Sequence, residues 1–314
     1  MIVAVAILLG VVGLATVAVP LLERFTATAA PGPALAAWLA SIAAVLGGTG
    51  WAVIELAWPG HSPVQRVIHS VLRCLAIAEH VMPAWAEWIL AVIMTGAVAV
   101  AAARLSTVTA RHVCRSLGSR RRHIDLVTTL GRPDPHVQRL VWLDHPVPLA
   151  FSIAGRRGCI VATAGLSRCL TADQQHAVLA HERAHLHRRH HLIIATCRVL
   201  AAAFPAVPLF AAAPAAVSRL VELTADRIAA RRSSPAALHS ALTIVATGSC
   251  SHNGAALPAD DDLGTRLTRL TIPADTTTPA SSLAAVIGPL VAAATPALVI
   301  ICIAEAAARV YMTR

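Results

Sequence analysis

Long apolar runs alternate with short polar stretches along this chain. Residues 2–22, 34–58, 84–103 and 283–304 are each long and apolar enough to predict a helix that crosses a bilayer, for which about 20 residues suffice. A fifth apolar run, 192–217, carries Pro205 and Pro208 near its middle, which predicts a bend and a helical hairpin that enters or lies against the membrane and returns. Residues 148–153 and 159–164 read as two short strands around the basic loop 154–158. Thr171 and Gln174 form a capping box with Asp173 in the first turn, which starts a helix. No Gly or Pro follows between Gln175 and Leu200, so that helix is expected to be continuous.

Composition agrees with a membrane protein. Hydrophobic residues make up 56% of the 314 residues, charged residues 13%, and the mean hydropathy is +0.66. The first run lacks a basic leader and is followed by further spans, so it reads as a retained helix rather than a cleaved signal. All 26 basic residues are Arg. Arg104, Arg111, Arg115, Arg120, Arg121 and Arg122 follow the third span without an intervening acid, which predicts a cytoplasmic flank. Counting back puts the N-terminus and the 59–83 loop outside; counting forward puts the following polar segment in the cytoplasm. The net charge of +10 could suggest nucleic-acid binding, but the Arg run stands beside a predicted span, so direct nucleic-acid binding is not expected. Seven scattered Cys without a Cys-x-x-Cys pair fit reduced thiols. The predicted domains are 1–106, a membrane unit of three spans; 107–281, a cytoplasmic domain containing the hairpin; and 282–314, a last span with a short tail.

The polar segment carries the chemistry. His181-Glu182-Arg183-Ala184-His185 is a His-Glu-x-x-His pattern within the predicted helix. Four helical residues turn the side chain through about 400°, so both imidazoles can reach one metal ion, while Glu182 can take a proton from a metal-bound water. Glu222 and Asp226 form a second i, i+4 pair, the first suited to be a third zinc ligand and the second to hold a ligating imidazole. His191 stands at another spacing used for a third ligand, but that arrangement needs a Gly where this chain has Arg188. With the helix continuing, His191 points about 240° away from His185, and His187, His190 and His191 read as a basic cap near the membrane surface. Arg266, Arg269 and His239 are candidates to stabilise the tetrahedral oxyanion. A strand just before the zinc helix could use its free edge to pair with an extended substrate. Asp260, Asp261 and Asp262 read as a solvated run or a helix cap.

Taken together, His181–His185, Glu222-Leu223-Thr224-Ala225-Asp226, three spans before and one after resemble the BlaR/MecR-type integral-membrane zinc metallopeptidases over nearly the whole chain. The resemblance implies a mainly α fold, with multi-pass membrane helices and a juxtamembrane α+β gluzincin-type domain. It implies one zinc ion on His181, His185 and Glu222, Glu182 as general base and Asp226 as a supporting partner. It implies a multi-pass protein of the cell membrane that transduces a signal by cleaving a cytoplasmic protein such as a winged-helix repressor. About ten residues follow the last span, so an external penicillin-binding sensor domain is not expected. The motifs are also similar to those of HtpX and CAAX-prenyl-protease-type membrane proteases, which implies protein quality control as the alternative; an inactive scaffold is the third reading.

Overall fold

The computed structural model describes residues 2–57, 84–155, 158–247 and 263–271. The 59–83 loop, the acidic run at 260–262 and the 283–304 span lie outside them. Helices α1 (Ile2–Thr28) and α2 (Pro31–Ala57) form a tight hairpin. Small residues let the two axes approach: Ala15, Ala18, Ala34, Ala37 and Ala44 are buried in the contact, and a Cβ on Gly48 would collide with the Val11 side chain. At the polar end Trp38 is fully buried and its indole N–H donates to Thr26 Oγ1 at 3.3 Å. The outer faces expose Leu9, Val12, Val17, Leu21 and Ile54, a surface suited to lipid.

Helix α3 (Ala84–Leu130) is 47 residues long, about 70 Å, more than twice what a bilayer core needs. Its first half exposes Trp85, Trp88, Ile89, Val92, Ile93 and Val100. Three described helices are thus long and apolar enough to cross a membrane. From Arg104 onward α3 becomes rich in arginine, and its last part reaches the sheet.

That sheet has strands β1 (Gly131–Pro133), β2 (Leu140–Leu143), β3 (Ala150–Ile153) and β4 (Cys159–Thr163), in the order β1-β2-β4-β3. β4 runs parallel to β2 and antiparallel to β3, with Ala150 opposite Ala162 and Ile153 opposite Cys159. The predicted hairpin is therefore present, but the free edge next to it is not on the strand that leads toward the zinc helix. β4 is interior and apolar, with Ile160, Val161 and Ala162 buried; the edge belongs to β3. Thr163 turns the chain into α4 (Ala164–Cys169): its hydroxyl donates to Val147 O at 2.7 Å and accepts from Leu149 N and Leu166 N. Gly165 packs so tightly on Pro146 that a Cβ would overlap the Pro146 carbonyl.

Helix α5 (Ala172–His187) starts on the Thr171/Gln174 capping box and crosses the sheet. It does not continue to Leu200. The chain turns at Arg188 and Arg189, the latter left-handed at φ 51°, and restarts as α6 (His190–Ala203). After a turn holding Pro205, Pro208 opens α7 (Pro208–Arg232), so residues 192–217 run out and back. Leu200, Leu209, Phe210, Ala213, Val217 and Leu220 pack this second hairpin into one core with α1 and α2. Helices α8 (Pro235–Thr247) and α9 (Leu263–Thr271) close over α5 and α7.

Candidate metal centre and active site

Two helices meet at the site. The i, i+4 spacing sets His181 and His185 on one face of α5, and α7 returns from its hairpin to place Glu222 opposite them. The Nε2 atoms of the two histidines are 3.0 Å apart, His181 Nε2 lies 3.4 Å from Glu222 Oε2, and His185 Nε2 lies 3.5 Å from Glu222 Oε1. Ligands of tetrahedral zinc at about 2.0–2.1 Å stand about 3.3–3.4 Å apart. The two histidines approach different oxygens of Glu222 at close to that spacing, their own nitrogens are somewhat nearer, and one donor atom from each of the three residues lies within 4.8 Å of the others. Nitrogen, nitrogen and carboxylate oxygen are also the donors zinc prefers, so the residues present fit one zinc ion.

The donors are held from behind. One turn further along α7, the buried Asp226 sets Oδ1 2.9 Å from His181 Nδ1, which has no other partner among the described residues. Asp226 is itself gripped by α9: Arg266 donates through Nε to Oδ2 at 2.7 Å and through Nη2 to Oδ1 at 2.8 Å, with Nη1 3.6 Å from Glu222. Burial disfavours charge on His181, but hydrogen bonds to Asp226 and Glu222 outweigh it and lift its pKa to about 9. Burial likewise works against ionised Glu222, yet the paired histidines hold its carboxyl well below the usual range. Both partners thus call for positive charge at this point, from a proton or from a metal.

Glu182, next on the helix, is different. Burial dominates and pushes its carboxyl above the ordinary value, against the opposing pull of His181, His185 and a hydrogen bond with Ser152 on β3. A carboxyl poised upward in this way is suited to accept and release a proton.

The remaining candidates separate. Arg266 is at the site, but its guanidinium is committed to Asp226 and Glu222. Arg269 faces away and donates to the carbonyls of Thr26, Ala27 and Ala29 at the end of α1. His239 is half-buried on α8, with no hydrogen bond or ion pair joining it to the cluster. His187 is exposed, as a basic cap requires, but His190 is not. The turn at Arg189 buries His190 against His185, Nδ1 to Nδ1 at 3.2 Å, with the rings edge to face. The sequence reading missed that contact because it took the helix through Arg188 and Arg189, where no Gly marks a turn. It also missed Ser152, which no motif signals.

Residues 119–207 match the family model of peptidase family M48. The matched stretch holds the sheet, the His-Glu-x-x-His helix and the outgoing arm of the hairpin, and it ends before Glu222. The match supports a metallopeptidase, without selecting a subtype. No curated protein and no solved structure matches the chain.

Proposed function

We propose that this chain is a membrane-embedded zinc metalloendopeptidase that transduces a signal by cleaving a cytoplasmic protein, for which a winged-helix repressor is the model substrate. The observation that carries the reading is the convergence of donor atoms from His181, His185 and Glu222 on one point, beside a half-buried Glu182. Bound zinc would polarise the scissile carbonyl and lower the pKa of a water. Glu182 accepts the proton of the attacking water and delivers it to the departing amine, with Ser152 holding the carboxylate toward β3. The free edge of β3 offers an extended substrate backbone a pairing strand next to Glu182. Asp226 and Arg266 keep the ligand face rigid.

The apolar hairpin packed on α1 and α2 favours a second reading, membrane-protein quality control of the HtpX or CAAX-prenyl-protease type. A membrane-protein substrate lying against that hairpin would be close to the site. The test uses the full chain in detergent. Wild type should hold one zinc and cut protein, His185→Ala should lose the metal, and Glu182→Gln should keep it while cleavage disappears. Undiminished proteolysis by Glu182→Gln would sink the mechanism. One discrete cut in a repressor supports signalling; processive loss of an unfolded membrane protein, with the repressor intact, supports quality control.

A further inference from the structure

We propose that His190 is a positioning residue for the metal centre: it accepts a hydrogen bond from Nδ1–H of His185 and so fixes which nitrogen of His185 faces the zinc. The inference rests on the zinc reading above and adds to it a part for a residue outside the ligand set. Nε2 of His185 points at His181 Nε2 and Glu222, and a ligating nitrogen must offer a lone pair. The ring proton of a neutral His185 therefore sits on Nδ1. The hydrogen bond that Nδ1 of His185 makes among the described residues is with Nδ1 of His190, at 3.2 Å. That atom must then accept, which puts the proton of His190 on its own Nε2 and keeps that ring neutral. The ring centroids are 4.9 Å apart and the rings stand at 89°.

The backbone is built for this contact. In an uninterrupted helix the fifth residue after His185 would point about 140° away from it. Arg189 instead adopts φ 51° and ψ 39°, a conformation that costs a residue with a Cβ about 1 kcal/mol or more. Held strain of that kind persists only where surrounding contacts over-determine it. The turn delivers His190 to a position only 1% exposed at the head of α6. The two ligating histidines are thus oriented by unlike partners, a carboxylate for His181 and a neutral imidazole for His185. Partners of this class typically set metal affinity by about 10–100-fold.

The experiment uses full-length protein in detergent and compares wild type with His190→Phe, which keeps a ring without an acceptor, and His190→Asn, whose carboxamide oxygen takes the place of Nδ1. Zinc affinity is read by chelator competition, and the ligand field by the visible spectrum of the cobalt-substituted protein. The expected result is a loss of zinc affinity of about 10–100-fold in His190→Phe with a perturbed cobalt spectrum, and recovery of most of both in His190→Asn. Unchanged zinc affinity in His190→Phe overturns the proposal, as does an equal loss in both variants. Should His190→Phe fail to fold, histidine nitrogen spectra of zinc-loaded wild type decide: His185 protonated at Nδ1 and His190 at Nε2 support it, the reverse at His190 overturns it. A wild-type chain that binds no zinc would instead remove the proposed function itself.

Discussion

At the residue scale the centre is a competition between proton and metal for one position. His181 carries its raised pKa of about 9 because two carboxylates face it. In the metal-free protein this contributes stability that is full below its ordinary value of 6.5 and is lost as pH rises through about 9. A zinc ion bound there would have to displace that proton. Apparent zinc affinity should therefore climb about tenfold per pH unit between about pH 7 and 9 and flatten above, measured by chelator competition. A pH-independent affinity would contradict the pairing. Arg266 is the second lever. Its removal leaves Asp226 buried without its fork, and breaking a buried pair costs about 3–5 kcal/mol, so Arg266→Ala should lower both thermal stability and zinc affinity. Arg266→Lys should recover little, because one ammonium cannot replace two parallel N–H bonds. His181, His185 and Glu182 were legible in the sequence because helical spacing is local. The roles of Arg266 and Arg269 were not: one turn apart on α9, they look alike until α7 and α1 are placed around them.

At the element scale, α5 shows why one boundary could be read and the other could not. Its start is written in Thr171 and Gln174: the Gln174 amide oxygen accepts from Thr171 N at 2.9 Å and Thr171 Oγ1 accepts from Gln174 N. Thr171→Ala should cost about 1 kcal/mol in unfolding free energy while leaving zinc affinity unchanged. Its end at Arg188 and Arg189 has no such residue. The left-handed position there tolerates Gly on steric grounds, so Arg189→Gly should keep stability and zinc affinity close to wild type. Arg189→Val, β-branched at positive φ, should lose about 1–2 kcal/mol and weaken zinc with it. Equal behaviour of the two variants would argue against a strained turn. The hairpin of α6 and α7 was readable from Pro205 and Pro208, since proline restricts where helices can continue.

At the scale of the whole molecule, α9 joins the centre to the hairpin of α1 and α2. Arg266 grips Asp226, and one turn on, Arg269 satisfies three carbonyls where α1 ends. Arg269→Ala should lower stability by about 1–2 kcal/mol and reduce zinc affinity less than Arg266→Ala does, read by thermal unfolding and chelator competition. A larger effect on zinc than that of Arg266→Ala would contradict this order of contacts. The shared core of α1, α2, α6 and α7 explains how two sequence motifs 37 residues apart meet. The apolar run between them packs on the first two helices and turns back.

Sequence alone determined the local terms: apolar runs, the helix start at Thr171, the paired positions 181/185 and 222/226, and the proline-marked hairpin. Each follows from spacing or backbone chemistry within a few residues, which tertiary packing does not need to supply. Tertiary structure decided which arginine grips Asp226, which strand keeps a free edge, and that His190 stands behind His185. Those depend on burial that outweighs local preference, as at Arg189, where contacts made by α6 hold a turn that no residue in the turn announces.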